Sequence, residues 1–303
     1  MIWMLLAAAV VLALLASALW SPDLWLRAEF ARQRWSAGLQ VRTQTIDAAR
    51  WTWAEAGDGP LLLLVHGYTG AKENWYPLAG ILKKDFRVVA PDLPGWGQSQ
   101  RDPGADYGYA AQVERLTRFI GVLGAGKPLA LVGHSMGGGI AALLAARHPQ
   151  FVDKLVLMDA SGVRHDDNAF GEAVLRGEQP FAVHDAASLR RFLGLVFAKP
   201  PWVPWPFSAA YVARRQRDAG FEREVLQAIS GPDAFLPGEE AVAIRAPTLL
   251  FWCRDDCVID ASAATLYAAR IGQVHTFIQD GCNHMPMLDC TSATANVLKE
   301  FLQ

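Results

Sequence analysis

Leu129-Ala130-Leu131-Val132-Gly133-His134-Ser135-Met136-Gly137-Gly138-Gly139-Ile140-Ala141-Ala142-Leu143-Leu144 passes from an apolar run, through a G-x-S-x-G turn, into a helical pattern. That succession is the context a nucleophile elbow requires. Glycine at 133 and 137 permits a tight strand-to-helix turn where a Cβ would crowd the neighbouring backbone. The turn lifts the Ser135 hydroxyl clear of a sheet. It also aims the first amides of the next helix at a reacting carbonyl. Five residues match such a motif by chance, so its weight comes from the flanking strand and helix and from partners elsewhere in the chain.

On both sides of this stretch, short apolar runs alternate with helical periods. Residues 61–65 end in His-Gly, 86–90 in Pro-Asp, and 155–158 in Asp-Ala-Ser-Gly. Residues 248–252 lead into an acidic loop, and 274–278 into Asp-Gly-Cys-Asn-His. Runs that are apolar throughout suit parallel strands covered on both faces. Amphipathic stretches at 109–123, 140–147 and 261–271 lie between them. The alternation predicts an α/β fold with a mostly parallel, doubly wound sheet. Ligands of such sheets bind beyond the carboxyl ends of the strands, where every one of these polar clusters falls. Residues 163–243 break the pattern and are rich in Arg, Phe, Pro and Trp. They read as a mostly helical cap insertion. Within it, Pro200-Pro201-Trp202-Val203-Pro204-Trp205-Pro206-Phe207 excludes a regular helix.

A serine nucleophile needs a base, and the base needs an orienting carboxylate. With a G-x-S-x-G elbow the chain order is Ser, acid, His. Of seven histidines, His275 and His284 lie beyond the acidic loop. His275 sits inside an apolar strand, whereas His284 follows it in a loop from which a base can reach Ser135. The acid is one of Asp255, Asp256 and Asp260. The others are then a solvated turn carboxylate or a helix N-cap. A tetrahedral oxyanion needs two preorganised donors. The backbone N–H of Met136 supplies one, and that of Tyr68, in the loop after residues 61–65, the other. The Tyr68 side chain then lines a pocket. His66, His134 and Asp92 read as structural groups.

Composition narrows the function classes. A net charge of −2 gives no electrostatic footprint for nucleic acid. The four cysteines, Cys253, Cys257, Cys282 and Cys290, fit no common zinc spacing, so no metal site is expected. They read as buried free thiols, with one or two disulfides as the alternative if the domain is exported. Residues 2–20 carry no charge. As a helix they rise about 28 Å, against roughly 30 Å for the hydrocarbon core of a bilayer. Residues 1–22 therefore read as a transmembrane anchor, with a cleaved signal peptide or a buried helix as rivals. Residues 23–42 read as an amphipathic juxtamembrane helix with Arg27, Arg32, Arg34 and Arg42 after the span. That bias keeps the catalytic domain cytoplasmic. The hydrolytic domain proper then covers 43–303.

With His66-Gly67-Tyr68-Thr69-Gly70, Lys72-Glu73-Asn74-Trp75, Pro91-Asp92-Leu93-Pro94-Gly95-Trp96-Gly97 and the Ser135 elbow in place, the chain resembles the α/β-hydrolases. Together with the N-terminal span, the first two motifs resemble those of membrane-anchored monoacylglycerol lipases and related bacterial lipases. The similarity covers nearly the whole chain and weakens over the cap. It implies that Trp252-Cys253-Arg254-Asp255-Asp256 carries the catalytic acid at Asp256. Cys253 stands where that family usually has Gly, Asn283 stands where Gly usually precedes the His, and Cys290 stands where Arg or Lys is more frequent. The resemblance implies a cofactor-free serine esterase acting on lipid esters at a membrane. The apolar stretch of the insertion, with Trp202, Trp205 and Phe207, suits contact with a long acyl chain. Carbon–carbon hydrolysis on the same fold and a non-catalytic binding protein are the rival readings.

Overall fold

The computed structural model describes residues 2–3, 16–124 and 127–303. Eight strands form one sheet in the order β1-β2-β4-β3-β5-β6-β7-β8. They are β1 (Gln40–Ile46), β2 (Ala49–Ala56), β3 (Leu61–Val65), β4 (Arg87–Pro91), β5 (Leu129–His134), β6 (Val152–Met158), β7 (Thr248–Cys253) and β8 (Val274–Gln279). From β4 to β8 the ladder is parallel, and β1 and β2 add an antiparallel edge. The predicted runs fall on β3 to β8.

Two departures have simple causes. The β1–β2 hairpin is not signalled by an apolar run, because β1 is mostly exposed and its side chains are largely polar. Its turn, Asp47-Ala48, takes positive φ at both residues without the usual glycine. β8 was expected to be covered on both faces, yet it is the far edge of the sheet, with His275 and Phe277 exposed. An edge strand needs only one buried face, and its apolar run does not reveal which strand lies outside.

Helices cover the inner strands. After α1 (Pro22–Ala37) and α2 (Tyr76–Leu82) come α3 (Tyr109–Val122) and α4 (Met136–Arg147), the helix of the elbow. α4 is buried along almost its entire length, which explains its run of Ala, Gly and Leu. The insertion holds α5 (Ala169–Leu175), α6 (Ala186–Val196), α7 (Phe207–Ile229) and α8 (Leu236–Glu240), with no strand. It is helical as predicted, and residues 200–206 lie outside any helix. α9 (Ser262–Ala268), α10 (Pro286–Asp289) and α11 (Thr291–Leu302) complete the domain.

Among the described residues no helix is long and apolar enough to cross a membrane. The anchor expected at 1–22 falls largely on residues 1 and 4–15, which lie outside the described residues. Residues 16–20 are helical, and Leu19 and Trp20 are exposed. Of the amphipathic juxtamembrane helix expected over 23–42, residues 23–37 are helical, and they pack on the folded body. α1 ends at Ala37 on a left-handed Gly38, and Gln40 already opens β1. α1 packs against α7 and α2. Leu26 is buried, and Trp25 meets Phe207 edge to face at 6.4 Å. The helix is not cleanly two-faced, because Leu24 and Trp35 remain exposed beside its arginines.

Candidate active site

β5 delivers Ser135 into the elbow with φ 54° and ψ −123°. A non-glycine residue at positive φ is strained, and here the surroundings enforce it. The Ser135 N–H donates to the Met158 carbonyl, while its own carbonyl accepts the N–H groups of Gly138, Gly139 and Ser161. Side chains at the flanking glycines are sterically barred. A Cβ on Gly133 would lie 2.2 Å from the Gly137 carbonyl oxygen, and one on Gly137 would lie 2.4 Å from that of His66.

The loop after β3 closes on the elbow. A Cβ on Gly67 would come within 2.8 Å of Ser135 Cβ, so Tyr68 follows directly on a backbone that touches the serine. Met136 is the first residue of α4. Tyr68 thus follows a glycine packed on Ser135, and Met136 follows Ser135 itself. His66 braces this loop: its Nδ1–H donates to the Gly67 carbonyl and its Nε2 accepts the Leu93 N–H. Burial pushes its imidazole down to about 4, which keeps it neutral. Asp92 is structural too, accepting Lys72 Nζ and the N–H groups of Lys72 and Gln98.

At the far side of the elbow, Asp256 Oδ2 lies 2.8 Å from His284 Nδ1, and both side chains are buried. Asp256 Oδ1 accepts the N–H groups of Val258 and Ile259. Asp255 is exposed, and Asp260 accepts the Ser262 N–H at the start of α9. Of the three candidate acids, Asp256 alone pairs with the histidine. His134, beside Ser135 in the chain, donates from Nε2 to the His284 carbonyl at 2.6 Å. Burial and the neighbouring His284 hold its imidazole well below the ordinary histidine range, so it remains a neutral strut.

Two groups that the sequence reading did not use join the acid loop to the histidine loop. Cys253 and Cys282 form a disulfide. This corrects the expectation of buried free thiols: Cys257 and Cys290 are the free cysteines, and Cys257 is exposed. Asn283 Oδ1 accepts the N–H groups of both Cys257 and His284. Its departure from the usual Gly is a cross-loop bracket. A further group that the sequence reading did not use is Asp159, buried at the end of β6 and hydrogen-bonded to the Cys253 N–H. Position alone could have flagged it, since it too ends a parallel strand.

A cavity of about 950 Å³ opens on His284, His134 and Tyr68. Phe181, Phe192 and Phe207 from the cap and Leu26 and Phe30 from α1 give it apolar walls. The Tyr68 hydroxyl donates to the Glu222 carbonyl, tying the loop after β3 to the cap. Arg215 and Glu222 pair at 2.7 Å along the same wall. Of the three expected acyl-contacting residues, Phe207 and Trp202 line the cavity. Trp202 is 86% exposed and stands at the rim, while half-exposed Trp205 is outside the lining.

This combination of doubly wound sheet, strained serine elbow and buried Asp–His couple beneath a helical cap defines the α/β-hydrolase class. The chain matches the alpha/beta hydrolase fold family over residues 60–290 and belongs to it. It is similar to Lipase 1 of Psychrobacter immobilis, at 26% identity over 89% of this chain and 86% of that one. Monoacylglycerol lipase ABHD6 of Mus musculus is also 26% identical, over 96% and 91% of the two chains. A solved membrane phospholipase A, described as a bacterial virulence factor, superposes with a TM-score of 0.90 at 33% identity, covering 100% of this chain and 98% of that one.

Proposed function

We propose that the protein is a serine hydrolase of lipid carboxylic esters, with a monoacylglycerol as its preferred substrate class. The observation that carries this is the apolar cavity leading to a buried Asp–His couple beside a strained serine. In this reading Ser135 Oγ attacks the ester carbonyl, and His284 Nε2 takes its proton and returns it to the leaving alcohol. Asp256 fixes the tautomer and stabilises the imidazolium. The N–H groups of Met136 and Tyr68 receive the oxyanion. Water then releases the acyl-enzyme by the same route, and no cofactor is required. Lipase relatives over most of both chains support the substrate class.

Residues 1–22 act in this proposal as a single-pass anchor, which keeps the cavity near its lipid. The charge bias after the span favours a cytoplasmic domain. The Cys253–Cys282 disulfide supports the opposite side, because such bonds persist in oxidising compartments. The proposal therefore places the domain on the oxidising side, where the Cys253–Cys282 pair stays joined. Deleting residues 1–20 should release the protein from membranes while leaving short-chain ester hydrolysis intact. The central test is turnover of a panel of mono-, di- and triacylglycerols by wild type and Ser135→Ala. Triacylglycerol as the best substrate, or turnover by the alanine variant, overturns the proposal.

A further inference from the structure

Asp159 is wholly buried at the carboxyl end of β6, with φ 45°. One of its oxygens accepts the Cys253 N–H at 2.8 Å, and the other, Oδ2, has no hydrogen-bond partner as an ionised acceptor. Its neighbour is the carboxyl of Asp256. Two buried carboxylates in contact cannot both be charged. Asp256 already takes three donors: the N–H groups of Val258 and Ile259, and His284 Nδ1–H. Asp159 takes one. The shared proton therefore belongs on Asp159. Placed on Oδ2, it turns an orphaned acceptor into a donor facing a carboxylate. Asp256 is the charged group acting on Asp159, and among the described residues no ion pair reaches it. Burial first, and then the Asp256 charge, push its carboxyl well above the ordinary aspartate range.

We infer that Asp159 is a positioning residue of the active site, a neutral carboxylic acid that donates a hydrogen bond to Asp256 and fixes it against His284. It spans the site from behind. Through Cys253 it holds the end of β7, and through Asp256 it holds the acid loop. Its donated hydrogen bond also withdraws charge from Asp256, which moderates how strongly that carboxylate stabilises the imidazolium.

The protonation arm of the test does not depend on activity. At about pH 8 an ordinary aspartate is ionised. The infrared difference between Ser135→Ala and Ser135→Ala/Asp159→Asn should then show a protonated carboxylic acid C=O band lost with Asp159. Absence of that band overturns the inference whatever the enzyme hydrolyses. The kinetic arm rests on the serine-hydrolase reading. Asp159→Ala should lower kcat/KM by about tenfold or more, as expected for one lost hydrogen bond to a charged group. It should also move the acidic limb of the pH profile upward. Asp159→Asn keeps a donor for Asp256 and an acceptor for Cys253, so it should rescue both effects. If instead the Asn variant moves that limb down by about one unit, as loss of a nearby negative charge would, Asp159 is ionised and the inference fails. Should the Ala variant not fold, the infrared and Asn arms still decide the matter.

Discussion

Asn283 Oδ1 stands between two backbone N–H groups, that of Cys257 at 3.0 Å and that of His284 at 2.8 Å. One amide oxygen thereby fixes the residue after the acid relative to the base. The Cys253–Cys282 disulfide lies at the roots of the same two loops. The distance from Asp256 to His284 is thus set by bonds made outside the pair, as the role proposed for His284 requires.

Replacing Asn283 by Gly, the residue more usual in the lipases the sequence resembles, should therefore lower activity here. The buried His284 N–H loses its acceptor, which costs roughly 1–3 kcal/mol when left unmet, while the Cys257 N–H, on an exposed residue, can turn to water. A drop in kcat of about tenfold with little change in KM is expected, because the lost interaction orients the base rather than the substrate. Steady-state kinetics on a soluble ester checks this. An unchanged kcat would mean that the disulfide alone sets the geometry.

Ser135→Ala should abolish ester hydrolysis and covalent labelling by a fluorophosphonate, with the thermal transition retained. Asp256→Asn should lower kcat by about 10⁴ if the familiar triad behaviour transfers, since the amide presents a donor to Nδ1 and selects the wrong tautomer. Asp255→Asn, at an exposed side chain, should be mild. Reversed effects in the two aspartates would remove Asp256 from the role proposed for it.

The Ser135 elbow, the order of strands along the chain and the histidine loop were legible because each has a local signature: apolar run, glycine-bounded turn, helical period. The carboxylate that pairs with His284 was legible only to within Asp255, Asp256 and Asp260 from the residues themselves. Neighbouring positions in an irregular loop point to opposite sides, and no periodicity says which side is inward. Asp159 carries no motif, and its importance arises from a contact between the ends of β6 and β7. Pairing of Cys253 with Cys282 likewise depends on two parallel strands being neighbours. The place of α1 against α7 depends on where the cap lies, and nothing local to residues 22–37 encodes that.

Breaking the disulfide should act on stability and catalysis together. Its sequence separation of 29 residues corresponds to roughly 3–4 kcal/mol of loop-closure entropy removed from the unfolded chain. For a domain of this size, that is a fall in Tm of about 6–15 °C. Cys253→Ser/Cys282→Ser should show this shift without reductant, and wild type should show it only after reduction. Both should lose kcat more than they gain KM. A reductant-insensitive Tm in the wild type would remove the disulfide, and with it the argument for an oxidising compartment.

The last expectation separates three aromatic residues that the sequence groups together. Phe207 lines the cavity and packs against Trp25, so it belongs to the wall that an acyl chain would meet. Each buried methylene of that chain contributes about 0.8 kcal/mol. Removing the ring exposes about two of them. Phe207→Ala should raise KM for long-chain esters by about tenfold, as expected from losing one apolar side chain's contact, and leave short-chain esters nearly unchanged. Trp202 stands at the rim, 86% exposed. An indole there has little to bury in the folded chain and suits a membrane–water interface. Trp202→Ala should reduce activity on vesicle- or micelle-borne substrate while sparing monomeric soluble esters. Trp205 is half-exposed and outside the lining, so Trp205→Ala should leave chain-length preference unaltered. The panel is read as a ratio of kcat/KM for long and short chains, in solution and on vesicles. If Phe207→Ala leaves that ratio unchanged, the acyl chain does not run along α7, and the cavity wall assigned to it must be given up.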